Sequence, residues 1–445
     1  MTRFDLLVEG VTLIPSAFEP PVTNASIGIT GGRFAHVGPA LPGATAARHL
    51  RLPAHLAFPG LVNTHLHSAL AMVRGTAEDM GFAPSYTRGV PQAQMLSPME
   101  AVALARLGAL EALLSGCTTI NDVYVHALHS LPAIADLGLR VVGCNRIHDV
   151  DFDAVLEGRW EHREAIGRAM LDEAEAIIGT LHGQGLITAQ IAPHAPDTCS
   201  TPLLRQVAEM AARTGLTVQT HLCQSPAELA RVNEREGCTP VELLARVGLL
   251  DERLLAAHCI HVTEADIAML GAARAHVAHI PKNNAASGRY APTRALVEAG
   301  ARLTLCTDNR HGDMIEAMRW GLAMGRIQAG RVDDGWQPEH MLHAATEAGA
   351  VALGHAGELG AVREGWRADL ALVDLRRPHL IPHNDPLGTL VHTGMGRDVT
   401  HVVVEGALVV EDGRPTRCDM DEVMREGAAA ASAVWARAQA MGMTT

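Results

Sequence analysis

The chain has 445 residues, with 36 Lys and Arg against 49 Asp and Glu, and a formal net charge of −13. Hydrophobic residues make up 48% and charged residues 19%, a globular balance that argues against disorder. The acidic surplus, without any Lys/Arg run, excludes nucleic acid as an expected partner, and no stretch approaches the roughly 18 apolar residues of a membrane span.

The opening residues Met1-Thr2-Arg3-Phe4-Asp5-Leu6-Leu7-Val8-Glu9 hold no uninterrupted apolar run or cleavage site, so a leader is not expected. The 8 cysteines show no Cys-x-x-Cys spacing and mostly sit in apolar runs such as Leu303-Thr304-Leu305-Cys306. Free core thiols and a reducing, cytoplasmic setting are therefore expected. Residues 1–57 read as short strands at 5–14, 26–30 and 34–37, punctuated by Gly31-Gly32. Eight apolar, β-rich runs follow, at 57–65, 117–123, 140–145, 187–194, 216–223, 254–259, 276–280 and 302–308. Helical patterns lie between them, for example 97–115, which opens on Ser-Pro-Met-Glu. Strands alternating with helices imply parallel βαβ units, and eight of them imply an α/β fold of the (β/α)8 TIM-barrel type. Strands at 370–374, 399–405 and 407–411 again alternate around Gly-bearing turns. They are expected to join the N-terminal strands in a small β-sandwich built from both termini. The expected division is 1–57 plus 361–419 for the sandwich, 58–360 for the barrel and 420–445 for a terminal helix.

Barrel chemistry gathers at the C-terminal strand ends, and those ends are rich in imidazoles. The first run ends in His65-Leu66-His67, whose i and i+2 side chains would share a strand face. Later runs end in His194, His221, His258 and Asp308, and the seventh carries His279. Any lone histidine among the 24 reads first as a core or rim residue; six strand ends converging on one mouth do not. Three imidazoles and a carboxylate suit Zn²⁺ or Fe²⁺ with a position left for water. Such an ion lowers the pKa of bound water toward neutrality, while a carboxylate and a further histidine can move protons and steady charge.

The stretches Pro59-Gly60-Leu61-Val62-Asn63-Thr64-His65-Leu66-His67, Arg74-Gly75, Ala192-Pro193-His194-Ala195-Pro196, Thr220-His221-Leu222, Ala257-His258-Cys259-Ile260-His261, Ala286-Ser287-Gly288 and Thr307-Asp308 resemble the amidohydrolase superfamily. The similarity is to its deaminase and chlorohydrolase branch, which includes adenosylhomocysteine, cytosine and guanine deaminases and triazine hydrolases. Gly365-Trp366-Arg367-Ala368-Asp369-Leu370 resembles the family strand that follows the barrel. The resemblance implies that His65, His67, His221 and Asp308 bind one divalent ion, zinc before iron. It also implies that His258 and Asp308 are catalytic and that His194 belongs to the substrate pocket. No lysine ends the fourth run, so the carbamylated-lysine, two-metal variety is not expected.

Two departures bear on the substrate. Family deaminases carry His-x-x-Glu after the fifth strand, where the glutamate shuttles a proton to a ring nitrogen; here the position is Gln224. An amide can hydrogen-bond but cannot carry that proton, and Glu228 lies one helical turn further on. The loop 81–94 is Pro/Gly-rich and holds Tyr86, Arg88, Gln92 and Gln94 in place of an acidic, Trp-bearing ribose grip. Gln224, His194, His279, Asn309 and Arg88 are the candidate substrate contacts, with His311 beside them. The expectation is a mononuclear metal-dependent hydrolase of C–N bonds other than peptide bonds. Its leading reaction is deamination, dechlorination or amine removal on a nitrogen heterocycle, a small molecule. A cyclic or linear amide hydrolase is the alternative prompted by Gln224, and a non-catalytic metal- or ligand-binding relative is the third reading. A homo-oligomer is expected, with the helical stretch 313–326 as barrel packing or oligomer surface.

Overall fold

The computed structural model describes residues 3–77 and 89–443. β1 (Arg3–Leu13) pairs antiparallel with β2 (Val22–Thr30), and β2 with β3 (Arg33–Pro39). β4 (Thr45–Arg51) runs parallel to the first part of β1, and β5 (His55–Pro59) takes over at Thr12 and Leu13. β6 (Leu61–Leu66), β7 (Cys117–Tyr124), β8 (Arg140–Asn145) and β9 (Ile187–Ala189) form one parallel sheet in sequence order. β10 (Val218–Leu222), β11 (Leu254–His258), β12 (His276–His279) and β13 (Arg302–Leu305) form a second. β14 (Leu370–Asp374), β15 (Val399–Val404), β16 (Ala407–Glu411) and β17 (Arg414–Pro415) return to the first sheet, where β14 pairs antiparallel with β5. That sheet has nine strands drawn from both ends of the chain.

The architecture is thus α/β, with parallel strands alternating with helices. β6, β7, β8, β10, β11 and β12 are wholly buried, which accounts for their near-continuous apolar sequences, while β13 is buried only over its second half. Single parallel bridges, Ile191↔Val218 and Leu66↔Asp308, join the two sheets at both flanks. Beside the second, Asn63 Nδ2 donates to Thr307 Oγ1 at 2.7 Å, and the Thr307 N–H donates back to Asn63 Oδ1 at 3.2 Å. One buried cluster combines Val62 and Val142 of the first sheet with Leu255, Ala257 and Ala278 of the second.

Helix boundaries follow local chemistry. The helix Pro98–Leu114 starts from a reciprocal box in which Ser97 and Glu100 each satisfy the other's backbone N–H. The last helix, Met420–Ala440, opens on the Asp419 cap and packs against that helix, with Arg437 Nη2 donating to Glu100 at 2.7 Å.

Three expectations change. The run 57–65 is not one strand: it breaks at Gly60, so that β5 serves the terminal sheet and β6 the parallel one. A Cβ at Gly60 would lie 2.2 Å from the Thr118 side chain, so only glycine passes between the layers. The run 187–194 is a strand only to Ala189, which puts His194 on an irregular extension. β4 was not expected at all, because six of its seven residues are exposed or half-buried and only Leu50 carries an inward signal. Among the described residues no helix is long and apolar enough to cross a membrane.

Candidate active site

The end of β6 places His65, fully buried, and His67 one residue beyond the strand. The β10 end supplies His221, the β11 end His258, and the turn after β13 supplies Asp308. These ends converge. His65 rings lie 4.6 Å from His67 and 4.8 Å from His221, and His221 stacks on His258 at 5.5 Å. Asp308 Oδ1 is 3.6 Å from His65 Nε2 and 3.7 Å from His67 Nε2. The donor atoms of His65, His67 and Asp308 all fall within 4.8 Å of one another, as do those of His65, His221 and His258. Among the described residues these are the two groups with metal-ligand spacing.

The donor set fits a cation. His67 Nδ1 donates to the Val123 carbonyl and His221 Nδ1 to the His194 carbonyl, so each ring turns the lone pair of Nε2 inward. Those two Nε2 atoms lie 3.1 Å apart. Two lone pairs at that distance repel unless a positive charge sits beside both. Protonation does not supply it: burial pushes His67 down to about 3, and burial with the neighbouring His65 holds His221 well below the usual imidazole range. Both ring nitrogens of His65 are buried without a hydrogen-bond partner among the described residues. Burial disfavours the charged form of Asp308, but the surrounding imidazoles, His65 foremost, hold its carboxyl far below the usual carboxylate range. The result is a set of neutral imidazoles and one carboxylate around a shared point.

The surroundings are rigid. Cys223, His258, Cys259 and Asp308 all have positive φ, a left-handed backbone that non-glycine residues hold only where tertiary contacts impose it. Asp308 is fixed by its N–H to the His65 carbonyl at 3.0 Å and by the His67 N–H to its own carbonyl at 2.8 Å. Asn283 Nδ2 donates to the Thr307 carbonyl at 3.1 Å and to Asn309 Oδ1 at 3.2 Å. His258 Nδ1 faces Asn284 Oδ1 at 3.4 Å, and burial pushes this imidazole down to about 4.

The other expected contacts divide. His194 joins the cluster, 4.9 Å from the His221 ring, with Nδ1 bonded to Thr198. Asn309 lines the turn through Asn283, and His311 is buried 4.0 Å from Glu316. Gln224 is half-buried beyond β10 and its N–H donates to Glu228 Oε2 at 2.7 Å, while Cys223 N–H donates to Oε1 at 2.8 Å. Glu228 thereby spends both oxygens on backbone. His279 is buried in β12, and no ring contact ties it to the cluster among the described residues. Arg88, with Tyr86, lies outside the described residues.

Several groups escaped the sequence reading. Asp122, near the end of β7, is buried, accepts from the Ser68 N–H at 2.7 Å and is raised to about 6 by that burial. Arg146 follows β8 and lies over the rings of Tyr124 and Phe152, at 5.7 and 4.4 Å. It lines a cavity of about 340 Å³ together with Gln94, His148, Phe152 and Met170. Phe152, in its wall, lies 5.8 Å from the His194 ring, so one side of this cavity adjoins the cluster. A larger one, about 580 Å³, lies at the opposite strand ends, by His276 and Arg302, and has no part in this chemistry. The sequence signal for Asp122 and Arg146 is a charge within or next to an apolar run.

The profile of the Amidohydrolase family matches residues 56–409. A 5-methylthioadenosine/S-adenosylhomocysteine deaminase of Moorella thermoacetica is 34% identical over 429 residues, 94% of this chain and 97% of that protein. An adenosine deaminase of Xanthomonas campestris, solved with bound zinc, superposes with a TM-score of 0.86 at 24% identity, covering 97% and 99% of the two chains. The zinc complex of an atrazine chlorohydrolase from Arthrobacter aurescens TC1 gives 0.83 at 23% identity, covering 96% and 100%. At these identities the two structures speak for the fold.

Proposed function

The chain belongs to the amidohydrolase family, and from that premise we propose that it is a mononuclear metal-dependent hydrolase that deaminates a nitrogen heterocycle, a small molecule. His65, His67, His221 and Asp308 would hold the ion, and a mixed imidazole and carboxylate set favours zinc. The observation that carries the reading is the pair of facing Nε2 lone pairs of His67 and His221, 3.1 Å apart in a buried site beside an ionised Asp308. The relatives' deaminase activity on adenosine derivatives supports the reaction class.

A bound divalent ion supplies Lewis acidity and a water that deprotonates near neutral pH. Asp308, ionised and facing His65 and His67, is placed to accept that proton. His258, buried and neutral, carries its proton on Nδ1 toward Asn284 Oδ1, so Nε2 presents a lone pair that can take a proton during the reaction and, once protonated, steady the charge that develops on the substrate. Gln224 would orient the substrate by hydrogen bonds, with Arg146 lining the cavity beside the cluster and His194 reaching its wall through Phe152. Removal of halide or of a substituted amine at the same carbon uses the same groups.

A second reading, hydrolysis of a cyclic or linear amide, is favoured by one observation. Gln224 cannot shuttle a proton, and Glu228 has both oxygens held by the Cys223 and Gln224 N–H groups. Ammonia release across aminated purines, pyrimidines, pterins and triazines separates the two: deamination liberates ammonia with the ring intact, and amide cleavage opens the ring or releases an acid.

We take the two parallel sheets as one closed (β/α)8 barrel; the bridges at both flanks and the cluster shared by the two sheets support closure. The division that goes with it is 1–57 plus 361–419 for the sandwich, with β5 carrying its sheet on to Pro59, 58–360 for the barrel and 420–445 for an added helix. A homo-oligomer remains part of the proposal.

A further inference from the structure

The turn after Asp308 carries a charge, Arg310, outside the roles of His258 and Asp308. Arg310 is only 5% exposed, and its Nε and Nη1 are buried with no hydrogen-bond partner among the described residues. A guanidinium removed from water without a counter-charge is costly, so such a group marks a place built to receive an anion. The turn itself is tightly held. Arg74 Nε donates to the Arg310 carbonyl at 2.7 Å, Asn283 binds Asn309 beside it, and Asp308 is locked between the His65 and His67 backbones. Arg310 lies two residues beyond Asp308, in the turn that the Leu66↔Asp308 bridge sets against the β6 end carrying His65 and His67. The neighbouring carboxylate, Asp308, is already committed to the imidazoles of His65 and His67.

We propose that Arg310 is a specificity-determining residue, and that the substrate is a nitrogen heterocycle bearing a carboxylate, or an equivalent anionic oxygen pair, which the Arg310 guanidinium receives as the reacting carbon meets His258 and Asp308. A planar fork of N–H donors matches a carboxylate in shape as well as charge. The inference rests on the heterocycle reading of the same site.

The test is calorimetric binding of matched pairs, each a ring carboxylate and its uncharged parent: orotate with uracil, pterin-6-carboxylate with pterin, pyrazine-2-carboxylate with pyrazine. In the zinc-loaded native protein at least one carboxylate should bind tighter than its parent by roughly tenfold or more. Arg310→Met should bring that ratio to about one, and Arg310→Lys should keep part of it. Should Arg310→Met fail to fold, Arg310→Gln removes the charge at similar length and carries the same comparison. A native protein with no carboxylate preference, or a folded Arg310→Met that keeps it, overturns the proposal. Inorganic phosphate is the control for a free anion; Arg310-dependent phosphate binding without any ring-carboxylate preference also overturns it. Because binding is read apart from turnover, an ammonia-release panel that fails while the preference persists removes the deaminase reading and leaves Arg310 in place. The converse result removes Arg310's role alone.

Discussion

His67 and His221 face each other through Nε2 at 3.1 Å, each with its Nδ1 bound to a backbone carbonyl of a different strand-end segment. The carbonyls of Val123 and His194 therefore choose the tautomers, and the tautomers choose where the lone pairs point. Orientation of ligands by such outer partners is what makes a metal site stiff before the ion arrives.

Removing either ring should remove the ion. His221→Ala and His67→Ala are expected to fall from about one equivalent of zinc to a small fraction of one, with activity down at least ~100-fold. Elemental analysis of the purified variants checks this. Thermal unfolding of the native protein should also drop on adding a chelator and recover with zinc, because a ligand that binds only the folded state stabilises it; a variant without the site should not respond.

Gln224→Glu tests what the glutamine means. If the reaction needs no proton delivered to a ring nitrogen, the substitution should leave kcat on the native substrate unimproved, and a new ionisation should enter the pH profile. A large gain in kcat would show instead that the missing proton shuttle limits this enzyme.

Glu228 links pH to stability. Burial, aided by the charge of Asp197, pushes its carboxyl up to about 8. The folded protein then keeps a proton that an unfolded glutamate releases, so the native state binds more protons between the two pKa values. This contribution is complete below the ordinary glutamate range and is lost as pH rises through about 8. Denaturant titrations should show that loss of stability in the native protein and a flatter profile in Glu228→Gln. The same variant should be less stable at low pH by about 1–3 kcal/mol, because one of the Cys223 and Gln224 N–H groups loses its acceptor.

Arg140 and Asp369 join the parallel sheet to the terminal sheet across 3.3 Å, both almost fully buried. Asp369 also accepts from the Glu405 N–H at 2.8 Å. Asp369→Ala leaves the buried Arg140 guanidinium with only the part-exposed Glu405, 3.4 Å from its Nη1, and should cost up to about 3–5 kcal/mol in chemical denaturation. Replacing both partners by apolar residues should recover part of that loss, whereas two independent sites would give additive losses.

The sequence by itself determined the alternation of strands and helices, because strands buried on both faces must be apolar throughout and their ends must turn polar. It also singled out His65, His67, His194, His221, His258 and Asp308, since those residue types recur at strand ends in one order. Only the tertiary structure decided what reaches them from far along the chain. Asn283 meets Asn309, Arg74 holds the turn of Arg310, and Val123 orients His67, each across a separation that no local pattern encodes. The same holds for the break at Gly60, where the close approach of Thr118 sends one apolar run into two sheets, and for β4, whose exposed residues have no periodicity to read. Periodicity reports a residue's own surroundings along its element. The geometry of the site depends on pairs of elements, and those meet only when the chain folds.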